Sequence, residues 1–108
     1  MLEQTGPAGP FVYIDHAGTT VGGTQTAVPY NSARQHFFFL NESDTNMRIC
    51  MGDQIASATV GLLIVPGYYW SPDFTPIGAV TVYCAAAGKG YSCGEFIRSV
   101  VTFTAARP

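Results

Sequence analysis

The sequence predicts an all-β fold: an antiparallel β-sandwich, jelly-roll-like or Ig-like, of about seven or eight short strands with an extended N-terminal arm. Three observations carry that expectation. Runs rich in β-branched and aromatic residues recur every ~8–12 residues. Turn formers separate them, with 12 Gly and 7 Pro in 108 residues. No window places apolar residues at i, i+3, i+4 and i+7 between recognisable caps, as an amphipathic helix would. The length suits one domain with one core, spanning residues 11–108 behind an arm over residues 1–10.

The elements follow in order. The arm carries Gly6, Pro7, Gly9 and Pro10 with no apolar periodicity, so it orders only if something holds it. "FVYIDHA" is a first strand, ending at Asp15-His16 as the chain enters a turn. "TTVGGTQTAVP" is β-branched but interrupted at Gly22-Gly23, which reads as a bulge or a hairpin turn. Pro29 to Ser32 is a turn. Arg34 to Leu40 is a strand, with Phe37 and Phe39 on one face and His36, Phe38 and Leu40 on the other. Asn41 to Asn46 is a polar loop. "MRICMG" sets Met47, Ile49 and Met51 against Arg48 and Cys50. "ASATVGLLIVPG" is strand-like and closes on Pro66-Gly67, a type II turn signal. "YYWSPDFTPIG" is a short strand plus loop. "AVTVYCAAAG" alternates Val80, Val82 and Cys84 with Thr81 and Tyr83, Gly88-Lys89-Gly90 is a turn, and "YSCGEFIRSVVTFTA" supplies one or two last strands.

Strict alternation in "RQHFFFL" raises a question about cover. A half-buried strand alternates apolar and polar residues, yet here both faces are apolar. One face fills the sandwich core. The other needs a second cover, from the arm, a loop or a neighbouring subunit.

Composition narrows the function classes. Charged residues make up 11% and apolar ones 47%, against roughly 25% charged in ordinary soluble domains. That balance suits a surface covered by partners. Net charge is −2, and Arg34, Arg48, Lys89, Arg98 and Arg107 are scattered, which argues against a nucleic-acid partner. No run reaches the ~20 apolar residues of a membrane helix. "MLEQTGPAGP" has neither the basic nor the apolar region of a signal peptide, so synthesis in a host cytoplasm is expected. Three cysteines, Cys50, Cys84 and Cys93, are an odd number and read as reduced structural thiols.

No catalytic, cofactor or metal constellation emerges. Asp15-His16 lacks a nucleophile motif. Cys84 and Cys93 are spaced across an expected hairpin, without metal-ligand spacing; a disulfide would need Cα atoms within about 7 Å. "NESDTN" lacks the alternating carboxylates of a calcium loop. Asn41-Glu42-Ser43 matches a glycosylation sequon, incidental without secretion. "AAGKGYS" is not a phosphate loop, leaving Lys89 as a turn lysine. "PGYYWSPDF" offers Tyr68, Tyr69, Trp70 and Phe74 as a protein interface, as a stacking platform for sugar rings, or, for Tyr69 or Trp70, as a core ring with its polar atom at the rim.

Residues 30–90 carry a resemblance. "YNSARQHFFFLNESDTNMRICMG", then "LLIVPGYYW", then "PIGAVTVYCAAAGK" resembles the layout of small β-sandwich virion proteins of tailed bacteriophages. The resemblance implies a capsid decoration (cement) protein or a small head- or tail-associated component. Such a protein is non-enzymatic, sits on the capsid surface, and binds the major capsid protein and copies of itself as a homo-oligomer. The expected interface residues are Leu2, Pro7 and Pro10 of the arm, with Phe38 (or Phe37), Tyr68, Tyr69, Trp70 and Phe74. Two alternatives stay open: a carbohydrate-binding module using Tyr68, Tyr69 and Trp70, and a tail or neck component.

Overall fold

The computed structural model describes residues 11–74 and 76–98. They form nine strands: β1 (Phe11–Asp15), β2 (Gly18–Val21), β3 (Thr24–Val28), β4 (Arg34–Asn41), β5 (Met47–Met51), β6 (Leu62–Ile64), β7 (Tyr69–Trp70), β8 (Val80–Tyr83) and β9 (Ala87–Arg98). One sheet runs β1-β9-β4-β7, with β2 also on β9; the other runs β3-β8-β5-β6. Every pairing is antiparallel.

The connectivity decides between the two expected sandwiches. β1 lies along the second half of β9 (Phe11↔Arg98) and β2 along the first half (Gly18↔Tyr91, Val21↔Ala87), so residues 11–21 act as one edge strand broken at His16-Ala17. Treating that pair as one strand, the first strand pairs with the last, the second with the seventh, the third with the sixth and the fourth with the fifth. Nested pairing of this kind is a jelly roll. An Ig-like sandwich would separate its strands as ABED and CFG.

The core lies between the sheets. Alternation places Phe37, Phe39 and Cys93 of one sheet against Val28, Met47, Ile49, Ile64, Val80 and Val82 of the other, all buried, with Trp70 and Met51 packed at the margin. Cys50, Cys84 and Cys93 are buried free thiols. Because apolar burial yields roughly 25 cal/mol per Å², this interleaved set is what holds the two sheets face to face.

Several expectations give way to tertiary structure. Gly22-Gly23 is not a hairpin turn: β2 and β3 belong to different sheets, and Gly22, at φ 83°, sits where the chain crosses between them. The irregularity in that segment lies one step earlier, as a register shift between Thr19 and Val21. Gly88-Lys89-Gly90 is not a turn but the start of β9, where the Lys89 N–H donates to Thr20 Oγ1 at 3.0 Å. Cys84 and Cys93 therefore do not face each other across a hairpin; they approach the core from opposite sheets. "ASATV" is irregular and bent rather than strand, and only Leu62–Ile64 pairs. Pro66-Gly67 does form the expected turn, with Gly67 at φ 79° and Tyr68 N–H on the Val65 carbonyl at 3.0 Å.

Candidate functional site

β4 positions the site by presenting two sides. Its burial alternates along Phe37, Phe38, Phe39 and Leu40, with Phe37 and Phe39 fully enclosed and Phe38 and Leu40 half-buried. Register places Phe38 level with Gly94 of β9, His36 level with Phe96, and Leu40 level with Tyr69 of β7. Tyr13 of β1 is level with Phe96. These residues share the outer face of the β1-β9-β4-β7 sheet.

They make a continuous aromatic stripe. Tyr13 meets Phe96 at 5.1 Å between ring centroids and Phe38 at 6.3 Å, Phe38 meets Tyr69 at 5.9 Å, and His36 meets Phe96 at 6.0 Å. The stripe crosses four strands, about 14 Å at ordinary strand spacing. Gly94 makes the crossing possible, since a Cβ there would occupy the space of the Tyr13 ring, which lies over the bare backbone. At one end Arg98 sits over the Phe11 ring at 5.4 Å. There Phe11, Gln35, His36 and Phe96 line a shallow depression of about 430 Å³. Tyr13 is 44% exposed and Tyr69 55%.

The opposite sheet is treated differently. Part of its outer face is roofed by the loop between β5 and β6: the Ala56 N–H donates to Thr81 Oγ1 at 2.9 Å, and Thr24 Oγ1 donates to the Ala56 carbonyl at 2.7 Å. Ala56 is buried as a result. Among the described residues no equivalent loop covers the aromatic stripe.

A buried ionic cluster fixes the frame beneath it. Arg34, at the start of β4, and Glu95, in β9, are both buried. Arg34 Nε donates to Glu95 Oε1 at 2.7 Å, and its other nitrogens donate to the carbonyls of Pro29, Pro76 and Gly78. Glu95 Oε2 meets His16 Nε2 at 2.9 Å. Burial alone would raise the Glu95 pKa. The hydrogen bonds from Arg34 and His16, with the Arg34 charge, outweigh that and hold it below the ordinary value. This cluster ties the break in the first edge strand, the centre of the sheet and the loop before β8 into one unit. In the sequence Arg34 and His16 stand apart, and burial of a strand-leading arginine is not visible without its partner, 61 residues away.

The role of His16 is accordingly structural, as a partner of Glu95. Cys93 Sγ lies 3.3 Å from the His16 carbonyl, not its ring, and burial first, then the nearby Asp15 and Glu95 charges, push the thiol up to about 12. It stays protonated and is a poor nucleophile. On the surface, His36 Nε2 approaches Ser71 Oγ at 3.2 Å, but that hydroxyl lies 2.9 Å from the Phe37 carbonyl, which it serves as a donor. Among the described residues no group of three His, Cys, Asp or Glu side chains could hold a metal ion, and no helix is long and apolar enough to cross a membrane.

The expected interface residues divide. Phe38 and Tyr69 lie within the stripe; Tyr68, next to Tyr69 in the chain, and Phe74 are exposed, Phe74 at 66%. Trp70 does not join them. It follows Tyr69 on a strand, so its ring turns inward to pack on the core, and a three-ring platform of Tyr68, Tyr69 and Trp70 does not form. Leu2, Pro7 and Pro10 lie outside the described residues. Tyr13 and Phe96 are the additions, and pairing of their strands is what brings them to Phe38. Asn41 is a correction: rather than a solvated loop residue it is fully buried, its Nδ2 donating to the Thr45 and Ile64 carbonyls and its Oδ1 accepting from Ser43. Its amide is thus committed inside the fold, and the sequon is closed off. Lys89, expected in a turn, pairs with Asp44 at 2.8 Å.

No protein-family model matches this sequence, and comparison with curated proteins and with solved structures likewise finds no match.

Proposed function

We propose that the chain is a non-enzymatic structural protein of a virion, a decoration or cement protein that binds the outside of a capsid shell and copies of itself. The observation that carries this reading is the aromatic stripe of Tyr13, Phe38, Tyr69 and Phe96 on a sheet face that no described residue covers. Contiguous exposed apolar patches of this kind mark interaction surfaces, and Tyr and aromatic anchors dominate binding energy at interfaces. The low charge content fits a surface meant to be covered. The jelly-roll architecture serves viral capsid domains, but also lectins and cupins, so it permits the assignment without carrying it. The likeness of residues 30–90 to small phage virion proteins points the same way.

The shell partner would lie over the stripe with its own apolar surface, and symmetry would repeat that contact over the particle. A stable contact of this type buries about 1,600 Å² in total. The test is re-decoration of stripped particles by purified chain, followed by sedimentation. Wild-type chain is expected to co-sediment in a fixed, high multiple of particles, and Phe38→Asp to stay in the supernatant while remaining folded. Equal co-sedimentation of both would remove the stripe from the interface, and failure of wild-type chain to bind any particle would sink the virion reading.

A further inference from the structure

Outside the aromatic face, the outer side of the β3-β8-β5-β6 sheet holds a pocket of about 360 Å³, lined by Arg48, Tyr83, Asn46, Leu63, Ala58 and Ala85 among others. Its floor is set by register: Arg48 of β5 stands between Tyr83 of β8 and Leu63 of β6, its two cross-strand neighbours. Ile49 and Val82, next along the same strands, point into the core, which leaves Arg48 and Tyr83 on the outer side.

Among the described residues the cations single out Arg48. Arg34 is paired with Glu95, Lys89 with Asp44, and Arg98 lies over the Phe11 ring. Arg48 is half-buried, yet it makes one hydrogen bond, from Nη1 to the Gly61 carbonyl at 2.9 Å. Among the described residues it meets no carboxylate and no ring. That one bond also orients it toward Gly61, whose backbone passes close to that of Ile49. A guanidinium has five donors in a rigid fork, so an edge suited to two parallel bonds stays open. Among the described residues the Tyr83 hydroxyl and the exposed Asn46 side-chain amide likewise have no hydrogen-bond partner. A half-buried guanidinium with most of its donors unpaired is costly, and a depression of this size that sets a few polar groups among apolar ones is the usual form of a small-ligand site.

We infer that this pocket binds a carboxylate-bearing small ligand, its two oxygens on the Arg48 fork, with Asn46 and Tyr83 addressing its neighbouring polar groups and Leu63, Ala58 and Ala85 its carbon skeleton. A single arginine flanked by neutral groups matches one negative charge, whereas a phosphate dianion calls for more donors or a second cation. The pocket opens on the sheet opposite the aromatic stripe, so it is independent of the assembly reading and stays accessible if that face is docked. Two sources could present this group: an acidic sugar or a peptide C-terminus.

The test is an amide and side-chain NMR titration of the full chain with glucuronate and with N-acetylalanine, each beside its neutral form, methyl glucuronate and N-acetylalanine amide. At concentrations up to about 10 mM, at least one acid is expected to shift the Arg48, Asn46 and Tyr83 resonances. Its neutral form should bind about tenfold more weakly or worse, the loss expected for a charge-assisted bond pair. Glucuronate alone would identify a saccharide, N-acetylalanine alone a chain terminus, and both the carboxylate itself. Arg48→Gln should abolish the shifts and Arg48→Lys weaken them, each with dispersed spectra showing an intact fold. If neither acid moves these resonances, or the neutral forms bind equally well, the inference fails; that comparison needs no variant.

Discussion

Phe37 and Phe38 are adjacent, chemically identical and opposite in duty. The Phe37 ring is enclosed in the core beneath the Arg34 guanidinium at 5.8 Å, so Phe37→Ala should cost about 3–5 kcal/mol. Against a total stability of roughly 5–15 kcal/mol, that threatens the fold itself. Phe38→Asp forfeits ring contacts with Tyr13 and Tyr69, each worth about 1 kcal/mol, and should leave the domain folded. Glu95 is the second residue on which much rests. Its pKa in the folded chain lies below the ordinary 4.5, so its stabilisation is complete above that value and is lost as pH falls through the folded value. Wild-type chain should therefore lose stability on acidification in that range. Glu95→Gln leaves Arg34 buried without its counter-charge and should cost about 3–5 kcal/mol at neutral pH, with a flatter acid limb. Urea unfolding at several pH values reads both effects; an unchanged acid limb in Glu95→Gln would place the titration elsewhere.

At the scale of elements, alternation was legible and pairing was not. The faces of β4, β5 and β8 could be read from Phe37/Phe38, Met47/Arg48 and Val80/Thr81 because a strand's period of two is local. Gly22-Gly23 and Gly88-Lys89-Gly90 misled because glycine announces a backbone freedom, not its use. At Gly22 the freedom serves a crossing between sheets, and at Gly88, with φ 75°, it serves the entry to a strand. The stripe was half legible for the same reason: Phe38 and Tyr69 declared themselves, while Tyr13 and Phe96 needed the β1-β9-β4 register. Gly94 is the element-scale hinge of that surface. Gly94→Ala puts a methyl group where the exposed end of the Tyr13 ring lies. The ring can swing outward, and Ala suits a strand better than Gly, so unfolding free energy should change by less than about 1 kcal/mol. The Tyr13 and Phe38 ring resonances should nevertheless shift, and particle binding should weaken. A variant that unfolds outright would mean that the ring, and not the backbone ladder, holds β1 on β9.

For the whole molecule the open question is what lies over the stripe, and the arm enters here. Residues 1–10 lead directly into Phe11, which stands at the Arg98 end of the aromatic face. If the chain uses that face to hold a shell, an arm that reaches along the same partner adds contacts without enlarging the domain. Two observables then separate. Removal of residues 1–9 should leave thermal unfolding of the isolated chain unchanged, because the core between the sheets and the Arg34–Glu95–His16 cluster lie wholly within residues 16–95. The same deletion should lower occupancy on particles and reduce their resistance to heat, since a ligand that binds only the assembled state stabilises it by an amount that grows with the logarithm of its affinity. Calorimetry of decorated particles, with the isolated chain as reference, measures both. Should the truncated chain decorate fully and protect equally, the arm has no part in attachment and the sheet face acts alone. Should it instead unfold at a lower temperature by itself, the arm is the cover that the outer face of β4 requires, and the stripe is closed within the chain.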